Sequence, residues 1–162
     1  MNRRTLTTMS LLGLAVLFAT AFPQVGFSQT NAFVGTWKLN PTKSKFAGPA
    51  PDHNTLIIEA VGQGFRTIEE SVDRQGNPIK MDYGVNQFDE KSIPVTGAST
   101  FDAVSGKRIN DTTVEYIRTK AGKVVATIIG VISADGKTQT YTLTGVTPNG
   151  QPVNIVAVYD KQ

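Results

Sequence analysis

The sequence predicts an all-β protein, an antiparallel up-and-down meander of about 8–10 strands that closes into a barrel. Two observations predict this fold class. Five turn-forming segments divide the chain, and three of the intervals between their glycines are 14 residues long. The segments between these turns are rich in β-branched and aromatic residues, and several alternate in polarity with a period of two.

The turn segments contain Gly, Asn and Asp, which tolerate the positive φ that tight hairpin turns require. They cover residues 62–64, 75–78, 121–123, 134–137 and 148–151. A strand of about ten residues followed by a turn of about four gives the observed spacing, so we expect consecutive hairpins. Only the turns repeat at this interval; the side chains between them do not.

The strand signal is clearest in residues 79–86 and 138–145, where the alternation is regular, and residues 124–132 and 153–159 are rich in β formers. No helix is predicted after the amino-terminal region. We expect loops only at residues 41–51 and 97–105. Closing the meander removes its exposed edges, and a barrel of eight strands is wide enough to be filled by side chains or to hold one small ligand. A two-sheet sandwich with the same hairpins remains the alternative.

The amino terminus has the three parts of a secretory signal. Arg3 and Arg4 give it positive charge, residues 11–21 are predominantly apolar, and small residues precede Ser28. The apolar run is shorter than the roughly 20 residues needed to span a bilayer, so an uncleaved membrane anchor is less favoured. We predict a signal peptide at 1–28, cleaved near Ser28, and a single domain at 29–162 that is secreted or periplasmic, with no stable membrane insertion afterwards.

Charge and composition argue against a nucleic-acid partner. The whole chain has 16 Lys and Arg against 13 Asp and Glu. Removal of residues 1–28 leaves 14 against 13, with the charges interspersed, so no basic surface is predicted. The chain has no cysteine, which excludes both disulfides and a cysteine-linked lipid anchor. Stability must therefore come from burial in one core.

The segment Gly35-Thr36-Trp37 resembles the Gly-x-Trp signature of lipocalins and other calycin-type β-barrels. The longer pattern, at residues 35–40, 43–46, 94–97, 107–109 and 156–162, resembles a large family of small secreted bacterial proteins of unknown function. The resemblance implies structural roles for Gly35 and Trp37, with the indole packed across the closed end of a barrel. It also implies a small apolar or amphipathic ligand.

The sequence departs from the lipocalin pattern in two places. Lipocalins usually carry a Thr-Asp-Tyr-like element, which Asn110-Asp111-Thr112 matches poorly, and an arginine near the end that covers the tryptophan. No arginine follows Arg118, so Arg118 is the candidate for that covering role. For Trp37 itself, a buried core aromatic without a ligand role is the simplest interpretation.

The alternating strands give a set of candidate cavity residues. Met81, Tyr83, Tyr141 and Leu143 occupy one face of their strands, and Tyr116 is a candidate on a third strand. Amphipathic tyrosines and a deformable methionine suit an apolar pocket with a few polar contacts. The same residues would also make a solid core, and both interpretations stay open.

No catalytic or metal-binding motif is found, and no cofactor is expected. His53 is the only histidine and has no ligand set or nucleophile around it in the sequence. Glu69 and Glu70 are adjacent on a predicted strand, so alternation sends one carboxylate to each face. An inward carboxylate needs a partner, for which Arg66, Lys80 and Arg118 are candidates.

Three functional hypotheses follow. The first is a carrier of a small apolar or amphipathic molecule. The second is an envelope interaction protein with a filled barrel that acts through loops such as 41–51. The third is an enzyme that uses an inward carboxylate as a base, for which the chain offers no accompanying nucleophile. The sequence predicts no particular oligomeric state.

Overall fold

The computed structural model describes residues 31–72, 75–98 and 100–162, and the predicted signal peptide lies outside them. These residues contain ten β-strands and no helix. The strands are β1 (Gly35–Leu39), β2 (Asn54–Val61), β3 (Gly64–Val72), β4 (Pro78–Val85), β5 (Ile93–Pro94), β6 (Ala103–Asn110), β7 (Thr113–Lys120), β8 (Lys123–Ile132), β9 (Thr138–Val146) and β10 (Pro152–Lys161).

All ten strands belong to one antiparallel sheet in the order β4-β3-β2-β1-β10-β9-β8-β7-β6-β5. Strands that follow one another in the chain are neighbours, except β4 and β5. Because β1 also pairs with β10, the sheet curls into a nearly closed barrel. Its two ends, β4 and β5, approach each other where an isolated bridge joins Asp82 to Thr96. The predicted all-β meander of 8–10 strands is confirmed.

The five predicted turns all connect consecutive strands. Two of them leave only two residues between the strands, and the one between β2 and β3 contains Gly62 with a φ of +60°. A Cβ at this position would lie 2.9 Å from the carbonyl oxygen of Asn86, so both conformation and space favour glycine.

The predicted loop at 97–105 is wrong in its last three residues, because β6 begins at Ala103. Ala103, Val104 and Ser105 pair with β7, and Val104 is almost fully buried. Val104 is the one strong strand former of the three and gives no alternating pattern by itself, so this part of the strand is set by its long-range pairing with β7. The other predicted loop, 41–51, lies outside the strands and is joined to β10 by a bridge between Lys45 and Val156.

The end of the barrel at which β1 begins is filled by a compact apolar group, which we call the closed-end core. It includes Phe33, Trp37, Phe65, Val114 and Ile132, each at most 3% exposed. The Phe33 and Phe65 rings pack with their centroids 5.4 Å apart. Among the described residues no helix is long and apolar enough to cross a membrane. The remaining interior lies between this core and the 41–51 loop at the opposite end.

Candidate ligand-binding cavity

A cavity of about 230 Å³ lies inside the barrel, beside the closed-end core. Its apolar walls come from strands on all sides of the barrel and from the 41–51 loop. The apolar lining residues are Phe46, Pro51, Leu56, Val104, Ile128, Leu143, Ile155 and Ala157. A barrel of ten strands is wider than one of eight, which leaves room for this space although one end is packed.

Four of the five predicted cavity residues line this space. Tyr83 on β4, Tyr116 on β7, and Tyr141 and Leu143 on β9 all do so, as the alternation of their strands requires. Met81 does not line the cavity. It packs instead against a smaller apolar cluster around Val85 and Phe101, near the approach of β4 to β5. That these side chains contact a ligand remains a prediction.

All four tyrosines of the chain line the cavity, the fourth being Tyr159 on β10. Burial raises the pKa of each hydroxyl above its ordinary value. For Tyr83 the positive charge of Arg118 opposes part of this increase in pKa, whereas the negative charge of Glu69 adds to it. At neutral pH the cavity therefore presents uncharged phenol groups, which can donate and accept hydrogen bonds.

A hydrogen-bonded chain of polar side chains crosses one wall of the cavity. The Tyr159 hydroxyl donates to Asn54 Oδ1 at 3.2 Å, and Asn54 Nδ2 donates to Glu69 Oε1 at 2.7 Å. Asn54 is only 7% exposed, and its two contacts satisfy both ends of its amide. The sequence analysis did not single out Asn54 or Tyr159 as cavity residues, although Tyr159 lies on a segment rich in β formers.

Glu69 and Glu70 face opposite sides of β3, as alternation predicts. Glu69 lines the cavity, and Glu70 pairs with Lys80 at 2.9 Å on the outer surface. Arg66 also lies outside, where it pairs with Asp82 at 2.6 Å. Of the three cations considered as partners for an inward carboxylate, only Arg118 lines the same cavity.

Arg118 does not take the covering position over Trp37. Its guanidinium lies 4.2 Å from the ring centroid of Phe101, and the cation over the indole is Lys161, with its Nζ 4.9 Å from the ring. The reason is the pairing of β1 with β10, which places Lys161 directly opposite Trp37, whereas Arg118 lies on β7.

Gly35 and Trp37 shape the closed end. The indole is fully buried, and its Nε1 donates to the carbonyl oxygen of Phe33 at 2.9 Å. Gly35 has a φ of +139°, and a Cβ there would lie 3.1 Å from Cε of Lys161. Glycine thus accommodates both the backbone conformation and the lysine that covers the tryptophan.

Gln139 is another buried polar residue, next to the closed-end core. It is fully buried, and its Nε2 donates to the Tyr141 hydroxyl, which fixes that ring in the cavity wall. Within the described part of the chain, its Oε1 is the one buried side-chain polar atom without a hydrogen-bond partner.

A second hollow, of about 430 Å³, adjoins the cavity on the side away from the closed-end core. The two spaces share Arg118, Leu143 and Ile155. Its other walls are mostly apolar and include Phe101, Val125, Val146 and Val153. The shared residues make the second hollow a continuation of the cavity towards the mouth of the barrel.

The described residues contain no cluster of side chains of the kind that holds a metal ion. His53 is exposed, and its ring nitrogen lies 3.4 Å from the Thr55 hydroxyl. Within residues 31–72, 75–98 and 100–162, no three His, Cys, Asp or Glu side chains converge as metal ligands would.

Comparison with solved structures places this architecture among known barrels. The chain is similar to zebrafish ileal bile acid-binding protein in its complex with cholic acid, with a TM-score of 0.52 and 14% sequence identity. The match covers 81% of this chain and 99% of the zebrafish chain. The fold is calycin-like. No protein-family model and no curated protein sequence matches the chain.

Proposed function

We propose that this protein binds a small amphipathic molecule in the barrel cavity. The observation that carries the proposal is the cavity itself, about 230 Å³ of space beside a fully packed core. One water molecule needs only about 15 Å³ by such a measure, so the space is sized for a larger occupant. Together with the adjoining hollow of about 430 Å³, it lies within the range of roughly 300–1,000 Å³ that is typical of small-molecule sites.

The lining supports an amphipathic occupant. Aliphatic and aromatic side chains form most of the wall, and the polar groups are few and convergent: the four tyrosine hydroxyls, Asn54, Thr67, Glu69 and Arg118. Such a wall desolvates an apolar body and orients it through a polar group. The zebrafish protein of similar fold, whose structure contains cholic acid, offers a precedent for a ligand of this kind.

Filling the cavity tests the proposal. Ala157 lines it and is 9% exposed, whereas Asn154 lies on the same strand with its side chain exposed. We expect Ala157→Phe to weaken binding of an apolar fluorescent dye such as anilinonaphthalene sulfonate at least about tenfold, which corresponds to roughly 1.4 kcal/mol. Asn154→Phe should leave the affinity unchanged.

Both variants must show the circular dichroism and cooperative unfolding of the parent protein. Equal dye affinity in the parent and both folded variants would contradict binding inside the barrel. Loss of affinity in Asn154→Phe alone would place the dye on the outer surface of β10.

We also propose that binding takes place after export, in the periplasm or outside the cell. The support is the basic, apolar and small-residue pattern of residues 1–28, which is typical of a secretory signal. The first strand begins at Gly35, after the predicted cleavage point near Ser28.

A further inference from the structure

Two side chains of opposite charge line the same cavity. Glu69 enters from β3 and Arg118 from β7, which lies on the far side of the barrel in the order of the sheet. Both charges act on the tyrosine hydroxyls: Glu69 raises the pKa of Tyr83 and Tyr159, and Arg118 lowers it, against the larger effect of burial. Both charges therefore act electrostatically on groups inside the same cavity.

Among the described residues, these two charges form no ion pair with each other or with another charged group. In the described part of the chain there are six ion pairs, all between partly or fully exposed side chains, and none includes Glu69 or Arg118. Each charge has a supporting neighbour instead. Asn54 donates to Glu69 Oε1. The Phe101 ring lies against the Arg118 guanidinium, which also hydrogen-bonds to the Tyr83 hydroxyl.

The supporting contacts leave binding capacity at both groups. A carboxylate has two oxygens with about four acceptor sites, and Asn54 occupies one of them. The Arg118 guanidinium, stacked on the Phe101 ring, has five N–H donors in its plane, and its hydrogen bond to the Tyr83 hydroxyl uses only part of them. A ligand that enters the cavity removes water from both charges, and each then requires a complementary group to offset its desolvation.

This requirement discriminates between classes of ligand. A simple anion, such as a fatty acid, would be attracted by Arg118 and repelled by Glu69, and its binding would leave Glu69 without a partner. A simple alkylammonium would be attracted by Glu69 and repelled by Arg118, and its binding would leave Arg118 without a partner. A molecule with no net charge that carries both an anionic and a cationic group satisfies both side chains.

We infer that the cavity selects zwitterionic amphipaths, with Arg118 binding the anionic group and Glu69 the ammonium group of one ligand that has an apolar tail. The inference rests on the proposed function, because it concerns the ligand of the same cavity. It adds the class of ligand and the two residues that determine specificity.

Three probes with the same tail length test the inference: octanoate, octylamine and the zwitterion 2-aminooctanoate. Affinities are measured by isothermal titration calorimetry on the exported chain after solvent extraction of any resident molecule. In the parent protein we expect 2-aminooctanoate to bind roughly tenfold more tightly than either singly charged probe, the scale of one hydrogen bond to a charged group.

Charge-neutralising variants should then change the order of affinities. In Glu69→Gln, octanoate should bind at least as tightly as 2-aminooctanoate. In Arg118→Gln, octylamine should bind at least as tightly as 2-aminooctanoate. The matched controls are Glu70→Gln and Arg66→Gln, which remove the same charges from the outer surface. Both controls should keep the preference of the parent protein for the zwitterion.

The possible outcomes separate this inference from the proposed function. If all three probes bind the parent equally, or if octanoate binds best and Glu69→Gln changes nothing, the selection of zwitterions is wrong and the cavity remains a binding site. If no probe binds the parent or any folded variant, the result contradicts the proposed function and this inference with it.

Discussion

At the scale of single residues, the four tyrosines determine the chemical character of the interior. They reach the cavity from β4, at one end of the sheet, and from β7, β9 and β10. The Tyr141 and Tyr159 rings meet edge to face, with centroids 6.0 Å apart. Because burial raises the pKa of all four, the folded protein holds these hydroxyls in their protonated form at pH values at which an unfolded chain would lose the protons.

This arrangement predicts loss of stability in alkali. A tyrosine whose pKa is raised on folding contributes its full stability below the unfolded pKa of about 10, and the contribution is lost as the pH rises above that value. We expect phenolate absorbance to increase in one cooperative step that coincides with unfolding followed by circular dichroism. In urea the same groups should titrate near pH 10. Titration of two or more phenols in the folded protein near pH 10 would contradict this account.

Three of the cavity residues that the sequence predicts lie on strands with a regular polar and apolar alternation. Tyr83, Tyr141 and Leu143 lie on regularly alternating strands, for which a period of two identifies the inward face. Alternation gives the face of a strand but not the depth within the barrel, and Met81 therefore faces inward without reaching the cavity. The contact of Lys161 with Trp37 depends on the pairing of β1 with β10, which joins opposite ends of the chain and leaves no local signal.

At the scale of structural elements, the 41–51 loop is the part of the chain that covers the cavity. Phe46 and Pro51 line the cavity from this loop. The backbones of Lys45 and Val156 exchange two hydrogen bonds, of 2.7 Å and 2.8 Å, which hold the loop beside β10. The segment that follows Lys45 has no further backbone hydrogen bond to a strand in the described structure until β2.

Because this loop covers the cavity, we expect a change in it to alter the rate at which a ligand dissociates. Phe46→Ala removes an apolar side chain from the cover, so we expect the dye to dissociate several-fold faster in stopped-flow measurements. Pro49→Ala is the matched control, because Pro49 is exposed in the same loop and does not line the cavity. Unchanged dissociation from a folded Phe46→Ala protein would show that the ligand does not leave past this side chain.

The hairpins were predictable because turn chemistry is local. Regular spacing of Gly-containing turns indicated the long strands of the meander, and the structure connects them as expected. The two-residue β5 and the start of β6 were not predictable in the same way. Ile93–Pro94 is too short to show alternation, and Ala103–Ser105 becomes a strand through its pairing with β7.

At the scale of the whole molecule, the barrel divides its interior between stability and binding. The closed-end core fills one end, and the cavity with its adjoining hollow lies beside the smaller apolar cluster around Val85 and Phe101. The ion pairs of the described residues lie on the outside, and Glu69 and Arg118, which line the cavity, belong to none of them. A barrel built only for rigidity gains nothing from two opposed charges in its interior.

Native mass spectrometry of the exported protein tests the central claim most directly, followed by denaturation and analysis of whatever is released. Our account predicts the mass of residues 29–162 plus one stoichiometric small molecule, which leaves on denaturation and carries an apolar tail with a polar group. A protein mass without any added molecule, and no uptake after incubation with a lipid extract of the producing cells, would contradict a carrier function for this barrel.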